Sequence, residues 1–175
     1  MLLTNIMIAI GLSMDAFSLA ILYGTSGISK KNINILSITV GIYHFCMPLF
    51  GFFIGKVILS FLPMKPDILV GGIFLILAIQ MFLSTFKEEE VTPLDKLSTL
   101  LLFGLTVSID SFTVGIGLGT ITNHLFIPPL IFSITSFLFT FMGLKLGKFL
   151  NESFGKISTI IGSVILMILS FIYIF

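Results

Sequence analysis

The sequence predicts an all-α membrane protein, with six transmembrane helices arranged as two inverted three-helix repeats. Of its 175 residues, 57% are hydrophobic and 10% charged, whereas a soluble domain carries about 25% charged residues. Six apolar stretches approach the roughly 20 residues a helix needs to cross about 30 Å of hydrocarbon. The second half of the chain also repeats residues of the first at matching positions.

The first stretch, Leu2–Tyr23, has no basic leader and no small-residue cleavage site, and it carries Asp15. It is expected to stay as a permanent helix, not to be removed as a signal peptide. The second, Ile35–Ile54, contains His44 and Pro48. Pro48 deprives the His44 carbonyl of its helical donor, so a kink is expected there. The third, Ile68–Phe86, contains Gln80, read as an interhelical hydrogen-bonder. The fourth, Leu97–Gly119, carries Asp110. The fifth, Leu125–Leu144, follows His124 and holds Pro128 and Pro129 in its first turn, where proline is tolerated. The sixth is Ile157–Phe175.

The connections are short and hold nearly all the charge. The longest polar one, 87–96, includes Glu88, Glu89, Glu90 and Asp95 and is read as a solvated loop. Residues 1–175 are read as one transmembrane domain, with repeat 1 at 1–86 and repeat 2 at 97–175. Lysine supplies all the basic charge, and with abundant Ile, Asn and Phe it hints at an AT-rich bacterial genome. With the N-terminus outside, the inner loops hold Lys30, Lys31, Lys87, Lys96, Lys145, Lys148 and Lys156, and the outer loops hold only Lys56 and Lys65. That asymmetry follows the positive-inside rule and places both termini outside a bacterial inner membrane.

The repeat is specific. Ser13-Met14-Asp15-Ala16-Phe17-Ser18 matches Ser108-Ile109-Asp110-Ser111-Phe112-Thr113. The stripe Ser37, Gly41, His44, Pro48, Gly51, Gly55 on the second span matches Pro129, Ser133, Ser136, Thr140, Gly143, Gly147 on the fifth at a constant offset. Gly71 corresponds to Gly162. Three spans per half means that the halves cross the membrane in opposite senses, a plan typical of secondary transporters. Gly51–Gly55 and Gly143–Gly147 have the GxxxG spacing that lets helices pack closely, and they are read as packing residues.

Asp15 and Asp110 are the only acids near the middle of any span. Each costs about 2.5–3.5 kcal/mol there, large beside a net stability of about 5–15 kcal/mol. No lysine lies at matching depth. A cation, a bound proton or water must offset the cost. One divalent ion between two carboxylates makes a neutral site, and protons can replace it when it leaves. The alternative is two protonated side chains bonding across helices. Ser18 and Thr113, one turn beyond the acids, could ligate an ion or back-bond to their own helices. His44 could be a ligand, a proton carrier or a structural hydrogen-bonder. Cys46 lies off the stripe and is read as a small apolar residue. Oxygen ligands with at most one imidazole suit Mn, Mg or Ca.

The paired S-M-D-A-F and S-I-D-S-F motifs open two three-helix repeats, and with Met47–Gly51 and Gly143–Gly147 they resemble the MntP family of bacterial manganese efflux pumps, in the LysE-like exporter superfamily. The resemblance covers almost the whole chain. It implies Mn²⁺ export from the cytoplasm, with Mn²⁺ as substrate and no cofactor, and with Asp15 and Asp110 essential. Some relatives carry an acidic residue at the position of His44. A sporulation-associated branch shares the domain, so a non-transporting role in spore or envelope assembly stays open. Amino-acid export is a further alternative, although no arginine or central lysine is present to hold a substrate carboxylate.

An enzyme is not expected, because no nucleophile–base pair or phosphate loop is present. Nor is a nucleic-acid partner, because the net charge is +1 with no basic run. The expected partners are a divalent cation and the bilayer.

Overall fold

The computed structural model describes residues 2–25, 27–61, 65–87, 94, 96–147, 149–150 and 152–175. Glu88, Glu89, Glu90, Asp95 and Lys148 therefore lie outside the described residues. Seven helices are present among those described: α1 (Leu2–Thr25), α2 (Lys30–Phe61), α3 (Pro66–Ser84), α4 (Leu97–Val107), α5 (Ile109–Ile121), α6 (Ile127–Leu146) and α7 (Glu152–Ile174). With α4 and α5 taken as one span, six are long and apolar enough to cross a membrane.

Local chemistry sets the ends. Gly27, at φ +77°, turns the chain between α1 and α2, a conformation that glycine adopts without Cβ strain. The Asn32 N–H donates to Ser29 Oγ at 3.2 Å and so caps the start of α2. Pro66 opens α3, with Asp67 in its first turn, where a carboxylate favours the positive helix end. Pro128 and Pro129 lie in the first turn of α6, as the sequence predicts.

Pro48 lies inside α2, which continues as a helix across it. An interruption falls at Ser108 in the fourth span, which packs on α2. There φ is −99° and ψ is 0°, and the Ser108 N–H bonds Leu105 O rather than continuing the α ladder. Gly115 of α5 accommodates the proline, since a Cβ added there would lie 2.5 Å from Pro48 Cα. One expectation about the spans needs correction, and it concerns Gln80. It is exposed on α3 and makes no side-chain hydrogen bond among the described residues, so it is not an interhelical bridge.

The principal helix contacts form a circuit. α1 packs on α6 and α7, α2 on α6 and α4–α5, and α3 on α5 and α7. The first span thus lies against two helices of the second half, and the fourth against two of the first. Exchanging the halves leaves this pattern of contacts unchanged. Outward-facing residues such as Ile42, Phe53, Ile76, Leu102, Ile134 and Ile168 are exposed, as lipid solvation of the bundle requires.

Two apolar clusters fill the interior. One joins Ile8, Leu12, Phe74, Leu118, Phe132 and Leu166. The other joins Ala20, Leu36, Val40, Leu100 and Leu144.

Candidate functional site

Polar residues separate the two clusters. Along α1, Leu12 of the first cluster is followed by Ser13 and Asp15, then by Ala20 of the second. Along α6 the order is Phe132, Ser136, Thr140, Leu144, and α4–α5 runs Leu100, Ser108, Asp110, Ser111, Val114. His44 follows Val40 on α2. Ser13, Ser108, Ser111, Ser136 and Thr140 are 0% exposed and His44 is 1% exposed. Asp15 and Asp110 are half-buried. A polar layer thus crosses the middle of four spans.

Two hydrogen bonds tie the layer together at positions that correspond between the halves. Ser13 Oγ and Ser136 Oγ lie 2.9 Å apart, linking α1 to α6. Ser108 Oγ and His44 Nδ1 also lie 2.9 Å apart, linking the fourth span to α2. In the repeat, Ser13 corresponds to Ser108 and Ser136 to His44. The Ser108 hydroxyl donates to Gly104 O at 2.7 Å, which uses its only hydrogen. Nδ1 must then carry the proton and share it between Ser108 Oγ and Val40 O, the latter at 3.0 Å. In the neutral ring Nε2 keeps its lone pair, the form that ligates a metal or accepts a proton.

This geometry yields a measurable expectation. His44→Leu and Ser108→Ala each remove the bond while roughly keeping volume. A double-mutant cycle of thermal unfolding in detergent is expected to give a coupling of about 0.6 kcal/mol, and no more than about 1.7 kcal/mol. Strict additivity of the two changes would show that the bond contributes nothing.

Asp110 lies in the first turn of α5, at the helix start that the break creates. Unpaired amide groups and the dipole there favour a negative charge by about 0.3–1 kcal/mol. Asp15 has no such placement, because α1 runs unbroken through it. Thr113 Oγ1 donates to Ile109 O at 3.3 Å, so its hydroxyl back-bonds to its own helix. Ser18 is half-buried and faces α7, where a Cβ on Gly155 would lie 3.0 Å from its Oγ. Among the described residues, no three His, Cys, Asp or Glu side chains gather as a metal-holding group. Asp15, Asp110 and His44 therefore do not close into a triad here. Cys46 is half-buried, and His124 lies exposed in the loop before α6.

Sequence reasoning passed over two hydroxyls. Ser111 Oγ and Thr140 Oγ1 are buried with no hydrogen-bond partner among the described residues. Leaving such a group unpaired costs about 1–3 kcal/mol. Thr140 belongs to the stripe on the fifth span and Ser111 to the repeated motif on the fourth, and residues of this type signal packing before they signal ligation. The break at Ser108 was equally hard to read. Ser13 is likewise followed by Asp two residues on and Phe four residues on, yet α1 is continuous.

A bundle of membrane-spanning helices with a buried polar layer, carboxylates at that depth and an interrupted span beside one of them is built as a membrane transporter. The family model described as "Mntp: Putative manganese efflux pump" matches residues 27–174. A "Putative manganese efflux pump MntP" of Bacillus pumilus is 33% identical over 169 residues, covering 95% of this chain and 91% of the relative. One from Methanocorpusculum labreanum is 33% identical over 174 residues, covering 97% and 93%. One from Shouchella clausii is 30% identical over 165 residues, covering 94% and 92%. The chain belongs to the MntP family. No solved structure matches it.

Proposed function

We propose that the chain exports divalent metal ions, Mn²⁺ foremost, from the cytoplasm across the bacterial inner membrane. The ion binds in the polar layer at Asp15 and Asp110. One observation carries the reading: two carboxylates and two unpartnered buried hydroxyls share a layer enclosed between apolar clusters. Carboxylate and hydroxyl oxygens with a single imidazole nitrogen suit a hard divalent cation. The manganese named in the relatives' descriptions selects among such ions.

Residues 1–175 act as one transporter unit made of two inverted three-helix repeats. The exchange pattern of helix contacts and the paired Ser13–Ser136 and Ser108–His44 bonds support that reading. The repeats rock against each other, and the break at Ser108 lets α5 move with Asp110. Ion release leaves two carboxylates to be compensated, and protons returning down their gradient supply that charge. His44 Nε2 is the third ligand or the proton acceptor beside them. Ser18 supports Asp15 from one turn on, and Thr113, bonded to Ile109 O, reaches the ion only when that bond opens. The lysine asymmetry supports an orientation with both termini outside.

The test is ion flux in proteoliposomes holding the full chain, using Mn²⁺, Mg²⁺, Ca²⁺ and Zn²⁺ with and without a pH gradient. Mn²⁺ movement is expected to exceed that of Zn²⁺ at least tenfold and to rise when protons flow the opposite way. Absence of flux for every ion would overturn the proposal in favour of a non-transporting envelope protein. Flux indifferent to the pH gradient would remove the proton from the mechanism.

A further inference from the structure

A second feature lies away from the polar layer, where α2 begins and α6 ends. A cavity of ≈ 380 Å³ opens there, lined by Ile28, Lys30, Ile33, Asn34, Phe141, Leu144 and Lys145. Its composition is divided. Ile33 and Leu144 are buried members of the second apolar cluster. Lys30 and Lys145 are exposed, and neither forms an ion pair among the described residues. Lys145 Nζ lies 4.1 Å from the centroid of the Phe141 ring, so its ammonium is held on the aromatic face that lines the cavity.

We propose that this cavity binds an anionic phospholipid. The first turn of one spanning helix and the last turn of another meet there, which puts the mouth at the headgroup level. Two ammonium groups and the Asn34 amide offer donors to a phosphate, with no carboxylate among the described lining residues to compete. A basic pocket between helix ends is a recurring headgroup site. The apolar lining separates a lipid from a free anion. Ile28, Ile33, Phe141 and Leu144 give an acyl stem a surface that an inorganic ion cannot use. The lipid would bridge α2 and α6, which are principal contacts between the two halves, so its occupancy would bear on how those helices move. It touches none of the residues of the proposed ion site.

The experiment uses the purified full chain in neutral detergent and native mass spectrometry with phosphatidylglycerol, phosphatidylcholine or inorganic phosphate. Phosphatidylglycerol is expected to bind at least tenfold more tightly than phosphatidylcholine. Removing each lysine is expected to weaken it about fivefold, so Lys30→Gln/Lys145→Gln together lose roughly 25-fold. Lys56→Gln/Lys65→Gln, the same charge change at the opposite membrane face, is expected to stay within twofold of the parent. The double arginine variant, Lys30→Arg/Lys145→Arg, keeps the charge and is expected to bind as the parent does, even if the glutamine variant fails to fold. Equal retention of both lipids, equal loss in the Lys56/Lys65 control, loss in the arginine variant, or displacement of the lipid by equimolar phosphate would each overturn the proposal.

Discussion

Asp15→Asn and Asp110→Asn are each expected to abolish manganese tolerance in a sensitive strain while the protein still reaches the membrane. The amide keeps the shape of the side chain and removes the charge that a divalent ion would balance. The expected fall in Mn²⁺ flux is at least 100-fold, about 2.8 kcal/mol of lost binding. Stability separates this from simple damage. The amide can still donate and accept hydrogen bonds, so Asp15→Asn is expected to reach the membrane at the parent level. Asp110→Asn is expected to lose about 0.3–1 kcal/mol of stability, because Asp110 lies at a helix start that favours its charge. Efflux assays, membrane quantification and detergent melts check all three points. Parent-level efflux in either variant would remove the carboxylates from the mechanism.

The sequence made the six spans legible because lipid leaves little freedom. A stretch such as Pro66–Ser84 must be helical to satisfy its own backbone. Span ends were less legible. α2 extends to Lys30 and Phe61, well beyond its apolar centre at Ile35–Ile54, because Ser29 caps its start and Val57 and Ile58 prolong its apolar run at the other end. Gln80 shows the limit of residue type: an amide in a span suggests an interhelical bond, but Gln80 lies on the outer face of α3. Within the site, Asp15, Asp110 and His44 stood out as ionisable groups in lipid. Ser111 and Thr140 did not, because a buried hydroxyl is recognised only once its partners have been accounted for.

The second large effect concerns the seams where the halves interlock. A Cβ on Gly55 would collide with the carbonyl of Ile116 on α5, and one on Gly147 with the carbonyl of Ile21 on α1. Gly55 corresponds to Gly147, and Ile116 to Ile21, at the offsets of the repeat. The same holds for Gly24, whose Cβ would lie 2.7 Å from Leu144 O, and for Gly119, whose Cβ would strike Phe52 O. Backbone carbonyls cannot rotate away as a flexible side chain can, so even alanine must push the helices apart. Gly55→Ala and Gly147→Ala are each expected to cost about 1–3 kcal/mol through overpacking. Gly72→Ala is the control, because nothing lies within 4 Å of its added methyl. That change should be neutral or gain up to about 1 kcal/mol of helix propensity. Melting temperatures and the folded fraction in membranes separate the cases. Matching losses at Gly55 and Gly147 are expected if the two seams carry the bundle equally. Behaviour at both positions like that of Gly72 would mean that the helices do not approach as closely as their carbonyls indicate.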